Sequence, residues 1–149
     1  MVKWLLIMAG CANGLDAPAP ASQLDRDAFR CDVEPVLEAR CAFPACHGSA
    51  RRPLSLFAVG RMRYGIGWDR PKAPLTDTEL ADNVRITSGF GNLLLEKPLD
   101  GGYFHRGQTL YGGRNVFRDP TDPGYQLIAN WLAGATAASD CQPTQEIGP

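Results

Sequence analysis

Three side chains in one short run can act together chemically: Cys41, Cys46 and His47, within CAFPACHG (residues 41 to 48). Four residues separate the thiols, and the imidazole follows the second thiol at once. Two thiols with a histidine directly after the second form the signature of covalent haem attachment, which ordinarily has two residues between the cysteines. Each thiol adds to one vinyl group of the porphyrin, and the histidine presents its imidazole to the iron from the same face. The longer spacing fits this chemistry if Ala42, Phe43, Pro44 and Ala45 bulge outward, with Pro44 stiffening the bulge. Gly48 would let the backbone turn away from the ring edge.

The same residues support two other readings. A Cys41–Cys46 disulfide would leave His47 as an ordinary loop residue. A zinc ion could take Cys41, Cys46 and His47 with His105 as a fourth ligand, since zinc sites use two to four residues between cysteines. Neighbouring residues point in different directions, however. Cys46 and His47 would strain the backbone to share one small ion, whereas they can grip different parts of a large ring.

A haem iron that only carries electrons needs a second axial ligand. Beyond the N-terminal segment the chain offers His47, His105 and Met62. His105 lies in GGYFHRG, where glycines permit a close approach and Tyr103 and Phe104 can line an apolar pocket. Met62 competes for the same role. The choice matters, because methionine ligation raises the potential relative to two histidines. Arg51, Arg52, Arg61 and Arg63 are candidates to pair with haem propionates.

The five cysteines are Cys11, Cys31, Cys41, Cys46 and Cys141. The start of the chain reads as an export signal: Lys3, an apolar run from Trp4 to Met8, then Ala9-Gly10-Cys11. This end resembles a bacterial lipoprotein signal, in which Cys11 would be the lipidated residue. Four thiols then remain for an oxidising compartment. Either Cys41 and Cys46 hold haem while Cys31 pairs with Cys141, or both pairs are plain disulfides.

These groups must be positioned by a chain of 149 residues, enough for one domain. A net charge of −1, with no basic cluster beyond Arg51 and Arg52, argues against nucleic acid as a partner. G-x-S-x-G, G-x-G-x-x-G and H-E-x-x-H are absent. No apolar run reaches the roughly 20 residues of a membrane-spanning helix. Residues 1 to 11 are the signal segment, and the Ala/Pro-rich residues 12 to 24 read as a tether. Residues 25 to 141 form the domain, and 142 to 149 a flexible tail.

Within the domain, Phe29, Val33, Val36, Leu37 and Cys41 recur in steps of three and four, predicting a helix over residues 25 to 42. Asp25 or Asp27 can cap it, and Pro35 should kink it or set its first part off as a separate turn. The helix runs straight into the cysteine loop. Residues 49 to 75 read as irregular. Thr76 with Glu79 matches a capping box and predicts a helix of about ten residues, Leu80 and Val84 inward, ended by Gly89 and Gly91. A glycine-rich loop should follow from residue 92 to 120. Asp122 and Pro123 then open a last helix that runs through Ala133 and stops at Gly134. Ile128, Leu132 and Tyr125 form its inner face, with Leu127 and Trp131 alongside. No strand pattern is visible.

Three blocks resemble the small cytochrome c-like domains of bacterial envelope proteins. They are Phe29-x3-Val33-x2-Val36-Leu37-x3-Cys41-x4-Cys46-His47-Gly48, then Leu93-Leu94-x-Glu96-Lys97-Pro98-Leu99 with Gly101-Gly102-x2-His105-x-Gly107, then Tyr125-x2-Ile128-x2-Trp131-Leu132. The resemblance implies an all-α cytochrome c-like fold, with the first and last helices crossing. It implies haem c on Cys41 and Cys46, His47 as proximal ligand and His105 as distal ligand. The chain differs from the family in carrying Asn92 where such domains often have Ser, and in its four-residue cysteine spacing. The function it implies is single-electron transfer in the cell envelope, with a redox protein as partner and membrane attachment through the lipid anchor alone. Two other functions remain open. One is a disulfide-stapled envelope domain that binds another protein. The other is a peroxide-acting haem enzyme, which His105 ligation would exclude.

Overall fold

The structure, a computed structural model, describes residues 20–64, 72–99 and 116–138. His105, Cys11, Cys141 and the glycine-rich loop after residue 99 lie outside the described residues. Among those described, regular structure is entirely helical, with no strand. The predicted all-α class is therefore correct at that level.

After a 3-10 turn over Ala21–Gln23, the first helix, α1, is built of three joined pieces: Arg26–Ala28 (α), Phe29–Val33 (π) and Glu34–Arg40 (α). Asp25 caps it, its Oδ1 accepting from the Ala28 N–H at 2.8 Å. Pro35 explains the π piece. Proline has no N–H to donate, and its ring crowds the carbonyl four residues back. Widening the preceding turn relieves the crowding, and the Glu34 N–H bonds five residues back to the Phe29 carbonyl. The helix thus remains one element through the proline.

Helix α2, Asp77–Phe90, opens on the predicted capping box. It has fourteen residues rather than ten. Gly89 lies inside it, and Gly91, at φ 50°, ends it. A short helix, α3, covers Leu93–Leu99, where a loop was expected. The last helix, α4, spans Pro123–Leu132. Asp122 caps it by accepting from the Gly124 N–H at 2.9 Å, and Gly134 follows at φ 92°.

The core lies between α1, α2 and α4. Phe29, Val33 and Leu37 meet Leu80 and Val84, then Ile128, Trp131 and Leu132. Trp131 is central rather than peripheral, at 1% exposed, while Leu127 points outward. The Trp131 ring stands edge-on to Phe29 with centroids 5.0 Å apart. Its Nε1–H donates to the Asp25 carbonyl at 2.9 Å. The first and last helices are therefore packed on each other. They are joined again where Arg40 Nη1 reaches both Asp122 oxygens at 2.9 Å. Between α1 and α2 runs an irregular strap, residues 54 to 64. It is fixed to α2 by Asn83, which accepts from the Phe57 N–H and donates to the Phe57 carbonyl, both at 2.9 Å.

Candidate functional site

The C-terminal end of α1 delivers Cys41 into the core, and the cysteine loop folds back over it. The Cys41 and Ala42 N–H groups both reach the Leu37 carbonyl, closing the helix. The Phe43 carbonyl then accepts from Cys46 at 2.8 Å and Gly48 at 2.9 Å, and the Cys41 carbonyl accepts from His47 at 3.0 Å. The loop is thus a closed turn. Ala42 is buried within it, and only Pro44 and Ala45 are fully exposed. Phe43 lies half-buried beneath the Arg61 guanidinium, 4.1 Å from its ring centroid. Arg61 also donates to the Glu38 carbonyl, so strap and helix grip the bulge together.

Cys41 and Cys46 are both free thiols, not joined to one another. Burial pushes the Cys41 thiol up to about 12, with Cys46 adding to the rise and Arg40 opposing it. His47 is half-buried, and its Nδ1 lies 2.9 Å from the Leu54 carbonyl oxygen. A carbonyl can only accept, so this contact assigns the proton to Nδ1 and the lone pair to Nε2. Burial holds His47 below its ordinary value. The Leu54 hydrogen bond works against that, and the nearby Arg52 charge works with it. The histidine is therefore a neutral imidazole at pH 7.

Cys41, His47 and Leu54 line a cleft of about 210 Å³ together with Phe90, Leu94 and Lys97. The walls are almost wholly apolar. Cys41, His47 and Lys97 are the lining residues that carry a polar or ionisable group. Helix α3, missed in the sequence, supplies Leu94 and Lys97 to this cleft.

Other sequence candidates fall elsewhere. Met62 lines a separate cleft with Phe57, Tyr64 and Asp82. Among the described residues no three His, Cys, Asp or Glu side chains form a metal-binding group, so Cys41, Cys46 and His47 do not converge on one ion. Arg63 is committed elsewhere: its Nε and Nη2 reach the Glu79 carboxylate at 2.8 to 3.0 Å, and it also donates to the Ala73 and Pro74 carbonyls. Arg51 and Arg52 are exposed. Cys31, on the π piece of α1, is disulfide-bonded. No helix among the described residues is long and apolar enough to cross a membrane.

Two features of the site carried no sequence signal. The Leu54 carbonyl that orients His47 follows it by seven residues through an irregular turn. Lys97 reaches the cleft only because α3 is helical. Comparison with protein families, curated proteins and solved structures finds no match to this chain.

Proposed function

We propose that the chain is a c-type cytochrome-like electron carrier that holds one haem at the Cys41–His47 cleft. The observation that carries this reading is the 2.9 Å contact between His47 Nδ1 and the Leu54 carbonyl. Histidines that bind metal almost always donate their second ring N–H to a carbonyl or carboxylate, which fixes the tautomer and raises ligand basicity. The bond satisfies one nitrogen of a half-buried ring and leaves Nε2 as the atom able to bind a metal.

The donor set fits the group chemically. Cys41 and Cys46, as separate free thiols, would hold the ring by two thioether bonds, and His47 Nε2 would face the iron. Haem would supply a one-electron ferric/ferrous couple. The chain's own contribution is to orient His47 through Leu54, to hold both thiols on one closed loop, and to keep water from the apolar walls. At about 210 Å³ the cleft is smaller than the roughly 300–1,000 Å³ of common cofactor sites. Seating a ring therefore requires one wall to yield. The short, proline-containing helix α3 is suited to do so. His105, carried over from the family resemblance, is the distal ligand in this reading. A lipid on Cys11, a Cys31–Cys141 disulfide, an envelope location and an envelope redox partner complete it.

The test is to express the chain with a haem-attachment system and record the absorption spectrum after denaturation. Haem retained by the unfolded chain supports the reading. A haem-free chain whose Cys41 and Cys46 oxidise to a disulfide would sink it in favour of a stapled binding domain. In the haem-loaded chain, His105→Ala should convert a low-spin spectrum to high-spin. An unaltered spectrum would remove His105 as ligand.

A further inference from the structure

Glu34 is a carboxylic acid in an unusual setting, outside the cysteine loop. It sits on α1 directly after the π piece, and its Oε2 is buried with no hydrogen-bond partner among the described residues. An orphaned carboxylate oxygen is costly to bury as an anion. Two cations lie near, yet both are already engaged. Arg30 pairs with Asp77 at 3.1 Å. Arg63 is only 5% exposed and pairs with the fully buried Glu79 at 2.8 Å. Two further carboxylates face Glu34: Glu38, one turn along α1, and Glu79, from α2. An ionised Glu34 would thus add a third acid to Glu38 and Glu79 against two occupied arginines.

These groups form a joint. Arg63 ties the strap to the start of α2 through Glu79, whose Oε1 also accepts from the Tyr64 N–H at 2.6 Å. Two residues before Arg63, Arg61 spans the Glu38 carbonyl and the Phe43 ring, and so reaches the bulge between the two site cysteines.

We propose that Glu34 is a proton-operated latch: its neutral acid form lets α1, the strap and the start of α2 close on one another, and loss of its proton loosens the strap behind the cysteine loop. Charge separation drives the opening. The new carboxylate repels Glu38 and Glu79 and competes for Arg63. The latch is a property of the folded chain and does not depend on what the cysteine loop carries. Burial supports the same conclusion. It raises the Glu34 carboxyl from 4.5 to about 7; Arg30 and Arg63 oppose the rise, while Glu38 and Glu79 add to it.

The experiment follows the carboxyl carbon of Glu34 by NMR across pH 4 to 9 in the full chain. It also follows hydrogen exchange at the Tyr64 and Arg61 amides, corrected for intrinsic chemistry. A carboxyl that titrates near 7 when closed and near 4.5 when open makes strap opening about tenfold more frequent at pH 8 than at pH 6. Glu34→Gln, which matches the neutral acid in shape, should abolish that difference. A Glu34 midpoint near 4.5 would overturn the proposal. So would a normal-shape titration near 7 with exchange that ignores it, or an equal pH response in Glu34→Gln. Should that variant fail to fold, coincidence of the two midpoints in the unaltered chain decides the matter.

Discussion

Gly48 faces Ala42 so closely that a Cβ on it would lie 2.1 Å from the Ala42 carbonyl oxygen and 2.8 Å from its carbonyl carbon. Its φ is not positive; among the described residues Gly60, Gly91 and Gly134 have positive φ. Gly48 is therefore required for space and not for a left-handed turn. The obstacle is backbone, which cannot swing aside as a side chain can.

Gly48→Ala must consequently push the loop open. The expected cost is about 3 kcal/mol or somewhat more, at the upper end for overpacking, read from urea denaturation. The variant should also lose the Gly48 N–H bond to Phe43. Unchanged stability would mean that the closed turn around Cys46 is not as described.

The Arg63–Glu79 pair should behave as a buried ion pair. Removing one partner of such a pair costs about 3–5 kcal/mol, because the other charge is stranded. Arg63→Met is expected to fall in that range at pH 7. Burial favours the neutral acid at Glu79, but hydrogen bonds from Arg63, Thr76 and Tyr64, together with the Arg63 charge, outweigh it and hold the carboxyl below its ordinary value. Its stabilisation is thus present above the usual carboxylate range and is lost as pH falls through the depressed value. In Arg63→Met the stranded carboxyl can escape by protonation. The gap between the two chains should therefore narrow on going from pH 7 to pH 4 in paired urea titrations.

The two site thiols should differ in reactivity. The thiolate is the nucleophile. Cys41 is buried, with its thiol raised to about 12, whereas Cys46 is half-exposed. Iodoacetamide at pH 8 should label Cys46 in the folded, haem-free chain and leave Cys41 unlabelled until denaturant is added. Peptide mapping by mass spectrometry reads the order. Equal labelling of both would contradict the burial of Cys41.

Trp131 and Leu127 lie four residues apart on α4 but differ in weight. Trp131→Phe removes the bond to the Asp25 carbonyl and part of the ring against Phe29. It is expected to cost about 2–3 kcal/mol. Leu127→Ala, at a side chain 37% exposed, should cost only about 1 kcal/mol. Thermal denaturation of both variants tests the contrast.

What could be read from the sequence followed from how local each interaction is. The capping box at Thr76 and the Asp122-Pro123 start are contiguous signals, and both helices begin where those residues predict. Helix α3 escaped notice because Pro98 and a length of seven residues break any helical periodicity. Gly89 looked like a stop, yet the helix continues past it and ends at Gly91, whose φ is positive. Glu79 was legible as a capping residue. Its second role, receiving Arg63, depends on a strap that returns from sixteen residues earlier. The cysteine loop could be recognised by residue type, but the Leu54 carbonyl that orients His47 could not, since any residue supplies a carbonyl.

The π piece over Phe29–Val33 sets the direction in which the cysteine loop faces. A π turn holds one residue more than the α turn it replaces, and each α-helical residue rotates its successor by about 100°. Phe29, which opens the piece, is held by Trp131, while Cys41 lies beyond its end, so the wide turn falls between the anchor and the thiol. Winding the same residues as a regular α-helix, which Pro35 opposes, would add close to 100° between Phe29 and Cys41. It would swing Cys41 and the loop behind it about a quarter-turn away from α3, so the width of one turn of α1 decides which neighbour the thiols meet.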